Sequence, residues 1–464
     1  MLRLIDHFFN AACSYSRVSK EFIYITADLT RPITSSVSVP LVQIHESQAF
    51  KKRRHSGGGY TPPQLGVSDE HLLALDQAVS ACPESVSDYC TPGTWLKLPF
   101  PFIYPTLPSD RFSFFTAGTS TAMLMFEFMP REFLQEVHQR FETLGPGETL
   151  LYLHGPFGLG KSHLLAALAI LLRRQGNHVV FLPDCGALVH SPVRYVKSAL
   201  LCTFSSDTDK IIREEIRSLE SVEAIQAWCE SAPTLCFVID QLNFLKTGDG
   251  KGDRDQDKEV ARRFVFALCV GHISIRSSSA NDPEQFNRIR PNELLIYRNG
   301  MTLREEDSWF EHNRERVPAM ADEDRTFFRD FTGGIPFFFT PLLHHSSKAF
   351  HDIWPSLSSH KIYQAVRSDI RQFAARIQNN SEEKRAYLDG VGACLTGRSL
   401  RNIERRLVDH RFCFQINDIG STTCGIARGE LFDILRAQCQ GVSLSVDWLA
   451  SFLNETEDGG LDRR

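Results

Sequence analysis

The eight residues Gly155-Pro156-Phe157-Gly158-Leu159-Gly160-Lys161-Ser162 constrain this chain more than any other stretch. They fit G-x-x-x-x-G-K-[ST] at every fixed position. A short apolar run from Leu150 to Leu153 leads in, and helical periodicity from Lys161 to Arg174 leads out, so the motif sits where a strand gives way to a helix. The residue types follow from the chemistry of phosphate. Glycine lets the backbone wrap closely around phosphate oxygens at dihedrals that other residues resist. The N–H groups so presented, together with the helix N-terminus, supply positive potential. Lys161 is expected to reach the β- and γ-phosphates and Ser162 to ligate Mg²⁺, with the whole segment from Gly155 to His163 holding ATP or a close relative. A glycine-rich turn of no function is the bland alternative, and the strand-to-helix context weighs against it.

Downstream, strands alternate with helices. His178 to Leu182 is β-branched and Pro192 to Phe204 amphipathic; Ile211 to Cys229 reads as one charged amphipathic helix or a pair. Leu235 to Ile239 is a continuous apolar strand, Glu259 to Val270 a helix, His272 to Ser277 a strand, and Leu294 to Tyr297 a fifth. The alternation predicts a five-stranded parallel sheet buried on both faces. The third strand runs Leu235-Cys236-Phe237-Val238-Ile239-Asp240, so an apolar strand ends on a carboxylate. Asp240 is the expected second Mg²⁺ residue. Gln241 follows it; glutamine orients water but is a poor proton acceptor. Binding of nucleotide is therefore better founded than its hydrolysis. At the tip of the fourth strand Asn281 and Ser278, and less strongly Arg276, are candidates to sense a γ-phosphate.

The composition sets the limits of this reading. Of 464 residues, 42% are hydrophobic and 23% charged, ordinary for a globular chain, and the net charge of −5 argues against a generally basic nucleic-acid binder. The 12 cysteines are scattered without a C-x-x-C pair, which points to buried free thiols and away from disulfides or zinc. No apolar stretch is long enough to span a membrane, and Asp6 and His7 fall where a signal peptide would be apolar, so an intracellular protein without a membrane anchor is expected. Residues 1–112 read as an irregular or partly ordered arm, with the basic run Lys51 to His55 and a proline- and aromatic-rich stretch from Thr91 to Pro108. Residues 113–300 are expected to form the core, 301–345 a helical lid and 346–464 a helical C-terminal region. In the last, a strand at Phe412 to Ile416 and a helix near Gly429 to Gln438 suggest a small winged-helix-like module. The stretch from Gly248 to Lys258 reads as a mobile charged loop, and Asp322 to Phe331, Ser346 to Phe350 and Lys361 to Ile377 as helices.

Together these residues resemble a P-loop ATPase of the additional-strand class, in the region shared by AAA+ and STAND ATPases. Gly334-Ile335-Pro336 fits the G-x-P motif that STAND lids place near the adenine. Phe128-Met129-Pro130-Arg131-Glu132 is similar to their F-x-G-R-E segment with proline for glycine, which makes Arg131 a nucleotide-site candidate. Thr302 with Glu305-Glu306 resembles the lid entrance of this group. A narrower resemblance is to Crinkler-type and retrotransposon-hot-spot-type ATPases of fungi, oomycetes and trypanosomes. It is carried by the segments from Tyr152 to His163, Val180 to Cys185 and Phe237 to Asn243, then Ser279 to Asn281 and Gly333 to Pro336. In that pattern Gln241 belongs to the family. No L-F-L-A-K-type translocation motif, kinase signature or nuclease constellation accompanies it.

The resemblance implies an ATPase module and hands over no output activity. The expected function is a slow Mg²⁺-dependent ATPase acting as a nucleotide-controlled switch, with Lys161, Gln241 and Asn281 around the reacting phosphate and an unidentified protein partner or a nucleotide-dependent oligomer as output. A non-hydrolysing nucleotide-binding module is the first alternative. A DNA-directed ATPase using Arg398, Arg401, Arg405, Arg406 and Arg411 is the second.

Overall fold

The chain divides into Met1–Leu65 and Gly66–Arg464. A computed structural model describes residues 67–439 except 105–106, 109–110, 118–122, 145–148, 233, 246–252, 280–293, 297–299, 378–380, 400–406, 409–411 and 417–418. The basic run from Lys51 to His55 lies outside the described residues, as do Asn281, Arg401, Arg405, Arg406 and Arg411.

Order begins earlier than the sequence suggests. Ser68 caps helix α1 (Asp69–Ser80) by accepting from the His71 N–H, and Asp69 and Glu70 favour its positive end. Leu72, Leu75 and Val79, spaced to share one face, are buried. After α2 (Val86–Cys90) comes β1 (Leu96–Pro99), then β2 (Phe114–Ala117) and β3 (Met123–Phe128), which form an antiparallel sheet in the order β1-β3-β2. The expectation of an irregular arm over residues 1–112 therefore fails from Asp69 onward. The aromatic-rich stretch read as irregular is core. Phe100 lies 5.0 Å from Phe112, 5.0 Å from Phe114 and 5.8 Å from Phe181 between ring centroids. Its strand partner β3 is distant in sequence, so no local period announces it.

After α3 (Glu132–Glu142), the chain alternates: β4 (Leu150–Gly155), α4 (Lys161–Arg174), β5 (His178–Leu182), α5 (Cys185–His190), α6 (Pro192–Thr203), α7 (Lys210–Ser218), α8 (Val222–Ser231), β6 (Leu235–Ile239), α9 (Asp253–Leu268) and β7 (Ile273–Ser279). Strands β5, β6, β7 and β4 pair in that order, all parallel, and the short β8 (Leu294–Ile296) adds to the far side of β4. Thus β7 stands between the strand that enters the phosphate-type loop and the strand that ends before Asp240. Every residue of β6 is buried, as a strand covered on both faces must be. Residues 164–172 of α4 are buried all round, because β5, β3, α1 and α3 pack against it. The charged stretch read as a loop from Gly248 to Lys258 is helical from Asp253, and within it Lys258 pairs with Asp255 at 3.6 Å.

Helices α10 (Leu303–His312), α11 (Asp322–Thr332) and the one-turn α12 (Pro336–Phe339) follow. Then come α13 (Phe350–Ser358), α14 (Lys361–Ile377), α15 (Ser381–Thr396), the antiparallel hairpin β9 (Cys413–Ile416) and β10 (Ile419–Thr422), and α16 (Gly425–Cys439). The helix expected over Ser346 to Phe350 instead begins at Phe350. Helix α15 and strand β10 went unanticipated; α15 packs on β10, while α14 packs on α16 through the Arg371–Glu430 ion pair at 2.5 and 3.0 Å. The cysteines whose side chains are described are free and buried. Among the described residues no helix is long and apolar enough to cross a membrane.

Candidate functional site

The loop after β4 is built on two left-handed glycines, Gly158 at φ 87° and Gly160 at φ 88°. Gly160 is the N-cap of α4, so the helix starts at Lys161 with its first N–H groups turned into the loop. The Lys161 ammonium is buried and donates to the carbonyls of Gly155 at 2.7 Å and Pro156 at 2.8 Å. Burial drives its pKa down to about 8, with Asp240 pulling the other way.

Asp240 closes the floor of the site. Its backbone N–H donates to the Leu182 carbonyl at 2.9 Å, which continues the β5–β6 pairing by one residue and fixes where the carboxylate stands. The Ser162 hydroxyl stands near enough to that carboxylate to oppose the rise in its pKa, so the two residues expected at a metal lie together. Asp240 Oδ1 accepts from the Gln241 N–H at 2.9 Å and its Oδ2 from Arg111 Nη1 at 3.0 Å. Burial raises its pKa, opposed first by Arg111 and then by Ser162 and Lys161. Gln241 has φ 60°, a left-handed backbone rare outside glycine. The fourth-strand tip is adjacent, with Ser279 in register with Gly155. Arg276, proposed there as a weaker sensor, stacks over Phe266 at 4.7 Å and is engaged in packing.

On the other side the loop meets α12, and Arg131 beside it meets α10. Arg131 is buried, donates from Nη1 to the Leu159 carbonyl at 3.1 Å, and pairs through Nε with Glu305 at 3.1 Å. Glu305 also accepts the N–H groups of Glu132 at 2.7 Å and of Thr302 at 2.9 Å, the second completing a capping box at the start of α10. Phe337 donates its N–H to the Gly158 carbonyl at 3.2 Å, and Phe157 and Phe337 meet edge to face at 5.0 Å. The Gly334-Ile335-Pro336 segment therefore does reach the loop, with Pro336 opening α12. A Cβ at Gly158 would come within 2.8 Å of Phe337 Cβ, so glycine is required there by contact as well as by φ. His163 departs from its expected place beside phosphate. Its ring stacks on Phe112 at 4.3 Å in the aromatic core, and burial followed by Arg111 lowers its pKa to about 4.

Two residues of the site were not anticipated in these roles. Glu305 carried a capping-box signal but nothing that linked it to Arg131. Arg111 sits among prolines and aromatics, where no local pattern marks it.

The residues fit Mg-nucleotide. A serine hydroxyl and a carboxylate are hard oxygen donors suited to Mg²⁺, and the ion would neutralise β- and γ-phosphate charge there. The Lys161 ammonium is held by loop carbonyls from which a phosphate oxygen can draw it.

No family model matches this chain, and no curated protein matches it. Among solved structures it is similar to the Walker-type ATPase paby2304 of Pyrococcus abyssi, at 14% identity over 65% of this chain and 95% of that one, TM-score 0.40. It is also similar to AMPPCP-bound DnaA from Aquifex aeolicus, at 14% identity over 69% and 91%, TM-score 0.31. A DNA replication initiation factor follows at 13% identity over 69% and 91%, TM-score 0.26. Likenesses this loose carry no functional conclusion; the strand order and the loop geometry do.

Proposed function

We propose that this chain binds Mg-ATP in the Gly155–Ser162 loop and works as a nucleotide-controlled switch with slow hydrolysis. The observation that carries the reading is that Lys161, Ser162 and Asp240 converge beneath a loop whose Gly158 carbonyl is bonded to the lid residue Phe337. A ligand that reshapes the loop must act on that lid contact. The lid turn is in turn pressed on the C-terminal region: a Cβ at Gly333 would lie 2.0 Å from the Thr423 carbonyl, and one at Gly425 2.7 Å from the Asp330 carbonyl. Loop, lid and C-terminal region thus form one steric series, which supports a core over 113–300, extended back to α1, with a lid over 301–345 and a responding region over 346–464. The β9–β10 hairpin between α15 and α16 is compatible with a winged-helix-like module and a DNA-directed role. The kinship to STAND and Crinkler-type ATPases is a reading from motifs.

Gln241 favours a second reading, a module that holds nucleotide and scarcely turns it over, since no carboxylate follows Asp240 to take a proton from water. Steady-state phosphate release from Mg-ATP separates the two. Activity abolished by Lys161→Ala establishes an ATPase, and faster release by Gln241→Glu marks the glutamine as a brake. No release by either wild type or Gln241→Glu, with ATP still bound, supports the holding module.

A further inference from the structure

Arg111 reaches the floor of the site from outside the parallel sheet. It lies just before β2, and its guanidinium touches three groups at once: Asp240 Oδ2 at 3.0 Å, the Pro183 carbonyl at 3.0 Å and Asp184 Oδ2 at 3.5 Å. Each partner is fixed independently. Asp240 is held at the end of β6. Asp184 caps α5, its Oδ1 accepting the N–H groups of Gly186 at 2.8 Å and Ala187 at 3.2 Å. The neighbouring Phe112 is clamped among Phe100, Phe126 and His163, so the fold pins the chain immediately after the contact. Arg111 itself is only 12% exposed and Asp240 4%. A fork this well seated on a buried carboxylate is a charge-assisted contact of the strong kind.

It stands at the carboxylate that the nucleotide reading assigns to Mg²⁺. We infer that Arg111 is a built-in counter-cation for Asp240, which neutralises the acid while no metal is present and competes with Mg²⁺ for Oδ2. The inference rests on the nucleotide reading of the site and adds a consequence to it. Without such a cation, an ionised Asp240 beside the loop repels the phosphates of metal-free nucleotide. With it, wild type tolerates metal-free nucleotide, and the added benefit of Mg²⁺ is small because the ion must displace a guanidinium. Arg111 is thus a positioning residue that sets metal dependence.

The test is the affinity for a fluorescent ATP analogue, read by anisotropy in EDTA and in excess Mg²⁺, with wild type, Arg111→Gln and Arg111→Lys. Glutamine keeps a donor for the Pro183 carbonyl and removes the charge. In Arg111→Gln the ratio of Kd in EDTA to Kd in Mg²⁺ is expected to rise at least about tenfold over wild type, through weaker binding in EDTA and stronger binding in Mg²⁺. Arg111→Lys keeps a charge but cannot serve Asp240 and Pro183 with the same fork, so its ratio rises by a smaller factor, about threefold. Folded variants with the wild-type ratio overturn the inference and leave the nucleotide reading standing. Should Arg111→Gln fail to fold by circular dichroism, the lysine variant alone decides by the same ratio. Wild type that binds in neither condition removes the nucleotide reading and this inference with it.

Discussion

The two sides of the site are held by different forces. On the lid side, Gly158 meets Ile335 and Phe337 through backbone and apolar contact, and the Arg131–Glu305 ion pair beside them is itself enclosed. On the acid side, Asp240 is surrounded by Arg111, Ser162 and Lys161, and the backbone turns away through a left-handed Gln241. Shape governs the first and charge the second. In the proposed switch, a loop gripped by shape would pass a displacement to α12, whereas an acid gripped by charge would respond to what cation is at hand.

The largest expected effect sharpens this contrast where charge intrudes on the lid side. Glu305→Ala removes the carboxylate paired with the buried Arg131 and the acceptor for two helix-end N–H groups, at Glu132 and Thr302. Breaking a buried pair from one side costs about 3–5 kcal/mol, and chemical denaturation should show a loss of that size. Glu305→Gln, which keeps an acceptor, should lose less. A loss below about 1 kcal/mol for the alanine variant means that apolar packing alone fastens the lid to the loop.

How much of this was legible in the sequence divides along the same line. The loop, the order of strands from Leu150 to Ile239 and the acid at Asp240 are local patterns, and each stands where its period places it. Gly334 and Pro336 were found through a motif, and Arg131 through a segment with proline in place of glycine. The accessory sheet was not legible, because β1 pairs with β3 across the intervening stretch that holds β2, and its proline and aromatic content imitates a loop. Arg111 was hidden for the same reason: its partners at residues 183, 184 and 240 are far away in sequence, and only the folded chain brings them to it. The start of α9 is not legible, because a run of glycines and charges has the composition of a loop although the helix runs from Asp253.

A pH effect of intermediate size belongs to the lid. Glu306 on α10 pairs with Arg329 of α11 at 3.3 Å, and burial lifts its pKa to about 7, against the pull of Arg329. A raised folded pKa means that the folded protein holds the proton more tightly than the unfolded chain. Its contribution to stability is therefore full below the ordinary value of 4.5 and is lost as pH rises through about 7. Solvent that reaches the pair beside the partly open Arg329 eases the desolvation of Glu306, which trims the loss between about pH 5 and about pH 7.5 to roughly 1–2 kcal/mol. Unfolding free energies measured across that range should fall for wild type and stay flatter for Glu306→Gln. Parallel slopes would assign the pH dependence to other groups.

The smallest effect concerns backbone, and here the two sides should differ in sign. Gly160, on the loop, sits at φ 88°, so Gly160→Ala forces a side chain into a left-handed conformation at a cost of about 1 kcal/mol. Gln241, on the acid side, already bears such a cost at φ 60°. It is kept there by its N–H bond to Asp240 Oδ1 and by the Phe244 N–H, which donates to the Gln241 carbonyl at 3.0 Å. Neither contact uses the side chain. Gln241→Gly should therefore retain both while relieving the strain, and the extra freedom of glycine in the unfolded chain offsets only part of the gain. A net increase of about 0.5 kcal/mol in unfolding free energy is expected, opposite to Gly160→Ala. If Gln241→Gly is instead less stable than wild type, the glutamine side chain makes contacts worth more than the strain, and the acid side is held by shape as well as by charge.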